Sequence, residues 1–303
     1  WKDHFEYNYD PENIDQTLTK NIPSLVDKEL NDNNLSYVQT YDAILVDEGQ
    51  DFDPSWWKIL RKVLRVNGEM ILVSDTTQNI YLRKKTNWTD QSMIGGGFRG
   101  NWIDLKESHR LPHSFIPHLS KFINHFLKDQ ENITPFTTPK QNELDFHPCH
   151  LKWINEKNDI TNSCVAEMLS IISKDTNRDR AFTDLTFITD SEKIGIQIVN
   201  KLRKLDIETV HTFKLDGDKR YSQKKRKMSF WKGVPKVKAT TIHSFKGWEA
   251  RLLIVNINQA KSIKDYSVIY TALTRIKKHN LGSHLTVICS DEKLFEYGKT
   301  WKQ

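Results

Sequence analysis

Ala43-Ile44-Leu45-Val46-Asp47-Glu48-Gly49-Gln50-Asp51-Phe52 is the stretch that decides the fold. Four apolar residues follow Tyr41-Asp42 and end at two adjacent acids, the pattern of a fully buried parallel strand that delivers carboxylates at its carboxyl end. Open α/β sheets keep their chemistry there. In phosphate chemistry such a pair divides the labour: the first carboxylate holds Mg²⁺ through its waters, and the second orients or deprotonates an attacking water. Asp47 and Glu48 are the candidates for those roles. The plainer reading is an acidic corner that only caps the next helix, since Asp53-Pro54-Ser55-Trp56 offers an N-cap residue followed by proline at N1.

Outward from this corner, Trp56 to Val66 sets Trp56, Ile59, Leu60, Val63 and Leu64 at helical spacing. Gly68 then turns the chain into Met70-Ile71-Leu72-Val73-Ser74, a second buried strand, and such a strand–helix–strand unit implies a parallel sheet. Upstream, residues 1–40 are polar, with a helix predicted across Ile14 to Leu30. Nowhere does the chain carry G-x-x-x-x-G-K-[ST], whose backbone N–H groups and lysine cradle a triphosphate. Gly95-Gly96-Gly97, with Gly100 nearby, lacks the Lys-Ser/Thr that would follow and reads as a hinge or linker.

Downstream, Trp102-Ile103-Asp104-Leu105 reads as a short strand opening a second domain, and Ser114 to Leu127 as an amphipathic core helix. Residues 129–160 are polar loop with one strand at Leu151 to Ile154. A helix at Asn162 to Ser173, a strand at Leu185 to Thr189 and a helical face of Ile194, Ile198, Val199, Leu202 and Leu205 resume the α/β alternation. Asp216 to Lys238 is strongly basic, with Lys224-Lys225-Arg226-Lys227 among Tyr221, Phe230 and Trp231. Cations interleaved with aromatics suit single-stranded nucleic acid, phosphates on the cations and bases on the rings; a solvated loop is the alternative. Val237 to Ile242, Leu252 to Val255 and Leu285 to Cys289 read as further strands.

The 303 residues suffice for two domains, each able to bury a core. A hydrophobic fraction of 37% and a mean hydropathy of -0.63 describe a polar globular protein. No apolar run approaches the roughly 18 residues of a membrane span, and no signal-peptide pattern opens the chain. A net charge of +6 and a pI near 9.0 suit a polyanionic partner. Cys149, Cys164 and Cys289 show no paired spacing, which suggests reduced thiols in a cytoplasmic protein. His147-Pro148-Cys149-His150 offers metal ligands, but no second cluster completes a tetrahedral set. The opening Trp1, in place of an initiator methionine, suggests a fragment or a processed piece.

The string DEGQDF at 47–52 resembles the Walker B motif of UvrD/Rep/PcrA-type superfamily 1 helicases. Four further segments resemble that family's motifs, in its order: LVSDTTQNIY at 72–81, LKESHR at 105–110, ATTIHSFKGWEA at 239–250 and YTALTR at 270–275. The resemblance implies an α/β fold of RecA-like parallel sheets, the P-loop NTPase fold, with the later part of one motor domain over 1–100 and a second motor domain over 101–303. It implies hydrolysis of ATP with Mg²⁺, stimulated by single-stranded DNA and coupled to translocation or unwinding. The family's phosphate loop lies upstream of the Walker B strand, so its absence is expected of a chain that begins partway through the first domain. The competing expectation is a non-catalytic nucleic-acid-binding module, or a subunit whose phosphate loop comes from a partner. A separate nuclease region on the missing part is a third.

By the same resemblance Asp47 is the Mg²⁺ ligand and Glu48 the residue that handles water, while Gln78 senses the γ-phosphate. Arg110 and Arg275 are arginine fingers that spread transition-state charge. His109 stands where the family's tyrosine stacks on adenine, and Gly247 and Glu249 lie near the nucleotide. Thr241 and His243 touch the nucleic-acid backbone, and the basic run adds Lys224, Lys225 and Arg226. The chain departs from the family at Ser74, at Arg83 in place of a base-stacking tryptophan, and at Trp248 and Ala250. A guanidinium at 83 can stack on a base or grip a phosphate. Only a short loop is expected between Leu205 and Thr240, too little for the accessory domain called 2B.

Overall fold

The computed structural model describes residues 17–31, 38–74, 93, 95–98, 102–103, 105, 107–128, 148–173, 181–215, 217–218, 220–231 and 233–301. The chain divides into two compact units, Trp1–Ile103 and Asp104–Gln303.

In the first unit α1 (Ile22–Asn31) is followed by β1 (Tyr41–Val46), α2 (Pro54–Arg61) and β2 (Leu64–Leu72). β1 and β2 pair in parallel, Leu45 opposite Ile71 and Val46 opposite Leu72, as the strand–helix–strand reading predicts. The expected full burial of β1 is not found: Leu45 is 73% exposed, its partner Ile71 is exposed, and Val46 alone in the strand is buried. Among the described residues this sheet has two strands, so little covers the Leu45 side.

α2 starts as the sequence predicts, with Pro54 at N1 and the Asp53 carboxylate accepting from Ser55 N at 2.8 Å. It ends at Arg61, and β2 already begins at Leu64. Gly68, expected to turn the chain, lies inside that strand, where a Cβ would come within 2.9 Å of the Asp42 carbonyl. The side chain that α2 buries is Trp57 rather than Trp56. Its ring stacks on Phe98 at 4.7 Å and its Nε1 donates to the Gly96 carbonyl at 2.7 Å. Arg61 Nη1 donates to the Gly95 carbonyl at 3.1 Å, so the glycine run expected to be a hinge is seated on α2.

Among the described residues the second unit forms a six-stranded, wholly parallel sheet, in the order β3-β8-β7-β4-β6-β5. Its elements are α3 (Ile116–Phe126), β3 (Cys149–Asn155), α4 (Ile160–Ser173), β4 (Leu185–Thr189), α5 (Glu192–Lys204), β5 (Thr209–His211), α6 (Arg220–Ser229), β6 (Val237–Thr241), β7 (Leu252–Ile257), α7 (Ile263–Leu273), β8 (Ser283–Cys289) and α8 (Phe295–Lys299). This is the α/β class expected of a RecA-like sheet. All of β4 and β7 is buried, as continuous apolar runs in a parallel sheet require. Cys164, Val165 and Met168 of α4 and Ile198 and Leu202 of α5 share a core with Phe187, Ala239, Leu252 and Ile254 of the sheet. α3 and α7 meet through Phe126 and Tyr266, whose rings stack at 4.8 Å.

Two expectations fail here. Trp102, Ile103 and Leu105 are exposed and, among the described residues, belong to no strand; Asp104 lies outside those residues. The stretch expected to be a short loop before Thr240 instead forms β5 and α6. Arg220 to Ser229 contains no glycine, proline or β-branched residue, so its composition tolerates a helix despite the charge. His147 lies outside the described residues, and among those described no three His, Cys, Asp or Glu converge as a metal site. No helix among them is long and apolar enough to cross a membrane. The three cysteines are free thiols, and burial pushes that of Cys289 up to about 12.

Candidate functional site

In the first unit Asp47 and Glu48 stand at the carboxyl end of β1. Asp47 is exposed, and its Oδ1 accepts from Glu48 N at 2.8 Å. Glu48 adopts the left-handed conformation, φ 54 and ψ 42, which costs a residue with a Cβ about 1–2 kcal/mol. Gly49 N donates to the Val73 carbonyl at 2.7 Å, and a Cβ at 49 would lie 2.7 Å from Leu72 Cδ1, so glycine lets the corner cross the end of β2. A short 3-10 turn, Gly49–Asp51, separates this corner from Asp53, which caps α2. The two acids therefore do not cap that helix. Adjacent carboxylates offer the oxygen donors that Mg²⁺ takes one or two at a time, so the corner fits that ion. Asp75, Gln78 and Arg83 lie outside the described residues.

In the second unit three segments meet beside the amino ends of β7 and β8. Ala250 and Ile276 form an isolated parallel bridge, with Ala250 N donating to the Arg275 carbonyl at 2.9 Å and Lys277 N to the Ala250 carbonyl at 3.1 Å. Lys278 N donates to the Arg110 carbonyl at 2.7 Å. The Arg110 side chain is exposed, and its Nη2 reaches the Thr274 carbonyl at 3.4 Å. Arg275 is only 2% exposed; its Nε donates to the Thr271 carbonyl at 3.0 Å and its Nη2 to Thr274 Oγ1 at 3.2 Å. Glu249 pairs with Lys277 Nζ at 3.1 Å. The fold thus brings Arg110, Arg275 and Glu249 together, with His109 exposed beside Arg110. Gly247 has φ 80 with open space where a Cβ would go, so backbone conformation calls for glycine there.

Thr241 and His243 lie at the other end of the sheet. All six strands run the same way, and Thr189 and Thr241 are partners at their carboxyl edge. The connection 242–251 therefore runs from the carboxyl end of β6 to the amino end of β7. Thr241 Oγ1 accepts from Ser244 N at 3.2 Å and donates to Ser244 Oγ at 3.1 Å. Partial burial of the His243 ring, then Lys264 and Lys246, hold its pKa below the ordinary imidazole range. In the basic segment Lys225 is exposed, Arg226 is paired with Asp218, and the Lys224 side chain lies outside the described residues.

The sequence missed the residues that support these groups. Three aspartates hold the loop after β7: Asp190 accepts from Asn258 N at 2.9 Å and Gln259 N at 3.1 Å, Asp291 from Ala260 N at 2.5 Å, and Asp265 from Lys261 N at 2.8 Å and Ser262 N at 2.9 Å. Five consecutive N–H groups thus meet carboxylates that follow β4, follow β8 and open α7. Only the Ser262–Asp265 capping box has a local signature in the sequence.

Residues 15–88 match the UvrD/REP helicase N-terminal domain. Among solved structures, a similar chain is the C-terminal domain of a possible DNA helicase from Lactobacillus plantarum WCFS1, 12% identical over 62% of this chain and 88% of that one, with a TM-score of 0.34. A comparison with curated proteins finds no match. Residues 15–88, which include Asp47 and Glu48, are thus similar to the N-terminal domain of the UvrD/REP helicases.

Proposed function

We propose that the chain is part of a superfamily 1 motor that hydrolyses ATP on single-stranded nucleic acid, with DNA the expected strand, and uses the turnover to move along or unwind it. The observation that carries this reading is the Asp47–Glu48 corner, two carboxylates at the carboxyl end of a parallel strand within the UvrD-like segment. Asp47 would hold Mg²⁺, which screens phosphate charge when bound. Glu48 orients the attacking water and takes its proton. Arg110, exposed, offers a cation to the transferring phosphoryl group, and Arg275 does so once its guanidinium leaves Thr271 and Thr274. Gly247 and Glu249 border the nucleotide and His109 stacks on its base. Thr241, His243, Lys224, Lys225 and Arg226 take strand phosphates, Arg83 stacks on a base or grips a phosphate, and Gln78 couples strand to nucleotide. The chain contains no phosphate-loop pattern, so the proposal requires one from polypeptide outside these 303 residues.

The burial of Arg275 favours a second reading, a helicase-like subunit that binds strands without turnover. ATP hydrolysis with and without single-stranded DNA, by this chain and by the same chain extended upstream, tests both. DNA-stimulated turnover in the extended form, abolished by Glu48→Gln with ATP binding retained, is expected. Turnover indifferent to Glu48→Gln overturns the mechanism, and strand binding without turnover in either form selects the second reading.

A further inference from the structure

We infer that Trp231 is a base-stacking platform for single-stranded nucleic acid, mounted by Phe230 on the turn that follows α6. This rests on the reading of nucleic acid as the partner and names a residue that contacts it.

Residues 219–238 hold nine Lys or Arg and no Asp or Glu. Within α6, Arg226 is engaged by Asp218, whereas Lys225, Lys227 and Met228 are exposed. The helix is anchored at its end by Phe230, which is buried with its ring 5.9 Å from that of Trp248 at 67°. Trp248 in turn lies 6.4 Å from Phe245 at 29°. These three rings tie the basic helix to the segment that carries His243 and Gly247. The position of Trp248, a departure from the family pattern, is thereby explained: its ring is the middle of the tie.

The next residue does the opposite. Trp231 is 57% exposed immediately after a buried phenylalanine. Its carbonyl accepts from Val234 N at 3.2 Å, closing a turn, and a Cβ at Gly233 would lie 2.1 Å from the ring's Cζ3. The indole folds back over that glycine, so the turn supports it from one side while the other side stays in water. Leaving so large an apolar ring exposed forgoes a substantial hydrophobic gain. Exposed lysines close by in the chain, without an acid among them, select a polyanion, and a flat ring open on one side adds an affinity for bases that only unpaired strands present. A duplex hides those faces, and an acidic peptide has none.

The test uses the 303-residue chain and two labelled strands of about 12 nucleotides, oligo(dT) and a fully abasic strand of equal length, with affinities from fluorescence anisotropy at one salt concentration. Wild type is expected to prefer oligo(dT) by about tenfold, Trp231→Ala to lose that preference, and Trp231→Phe to keep most of it. Lys225→Ala/Lys227→Ala should weaken both strands alike and flatten the salt dependence. In case the alanine variant folds poorly, the indole emission lost between wild type and Trp231→Phe should be quenched by oligo(dT) and not by the abasic strand. A tenfold preference that survives Trp231→Ala, absence of that quenching, or no strand binding at all overturns the inference. Because no hydrolysis is measured, strand binding with an inert Trp231 removes this inference alone, and an inactive Glu48 leaves it standing.

Discussion

Arg110 and Arg275 converge on one residue: Arg110 Nη2 donates to the Thr274 carbonyl at 3.4 Å and Arg275 Nη2 to the Thr274 hydroxyl at 3.2 Å. One guanidinium is exposed and the other is buried, so the same threonine serves a solvent-facing cation and an interior one. A buried cation needs acceptors to offset its lost hydration, and the end of α7 supplies them as carbonyls left without helical partners. The Thr274 hydroxyl is the acceptor in this set that a substitution can remove.

Thr274→Val keeps the shape of the side chain and deletes that acceptor. The variant should lose about 1–3 kcal/mol of stability, whereas Thr274→Ser should lose less than half of that. Urea denaturation measures both. An unchanged midpoint for the valine variant would mean that Arg275 does not depend on the hydroxyl.

Acid should destabilise the second unit through three histidines. His118, His211 and His243 are each held below the ordinary imidazole value of 6.5, first by burial and then by cations: Lys121 for His118, Arg226 and Arg203 for His211, Lys264 and Lys246 for His243. Below that value the unfolded chain binds protons that the folded chain refuses, so their stability contribution is full above it and lost as pH falls through the depressed values. Asp190 acts in the opposite sense. Burial raises its carboxyl to about 6, against the pull of the Gln259 and Asn258 N–H groups, so its contribution is present below 3.8 and lost as pH rises through 6. The urea midpoint should drop between about pH 7.5 and about pH 5.5, less in His211→Gln and more in Asp190→Asn. Parallel profiles for the three proteins would remove both groups from the linkage.

Gly298→Ala should invert the usual rule for helices. Alanine ordinarily stabilises an exposed helix position by about 1 kcal/mol relative to glycine. In α8 a Cβ at 298 would lie 2.2 Å from the Trp153 ring, which also packs edge-on against Tyr297 and Trp301. The ring has little room to yield, so a loss of about 1–3 kcal/mol is expected. A rise in melting temperature would show that Trp153 moves aside freely.

Most of the second unit is legible in the sequence because its strands are continuous apolar runs and its helices carry a buried stripe. Leu185 to Thr189 is read to the residue. Where reading fails, the deciding fact is not local. Leu45 and Leu253 sit in similar apolar runs, yet one is 73% exposed and the other 0%, because burial depends on what neighbours the strand. Val63 to Val66 suits a helical stripe and a strand equally, and pairing with β1 settles it from Leu64 onward. Motif letters give the identity of Arg275 but not the direction of a long side chain, which here folds back onto its own helix end. Phe230 and Trp248 lie too far apart in the chain for any periodicity to pair them.

Glu48 offers the sharpest separation of stability from function. Its φ of 54 is a conformation that glycine adopts freely and that a residue with a Cβ pays for at about 1–2 kcal/mol. A glycine at 48 would adopt this backbone conformation without that cost. Strain of this kind persists where the side chain has another use. Glu48→Gly should therefore raise stability, by up to about 1 kcal/mol after the extra flexibility of glycine in the unfolded chain is counted. The same substitution should abolish DNA-stimulated ATP turnover in the upstream-extended protein, as Glu48→Gln does. Glu48→Gln keeps the Cβ and the strain, so it should change turnover without changing stability. The pair of variants, compared by denaturation and by hydrolysis, distinguishes a strained catalytic carboxylate from an ordinary corner residue. A glycine variant that is less stable than wild type would place Glu48 in the scaffold instead.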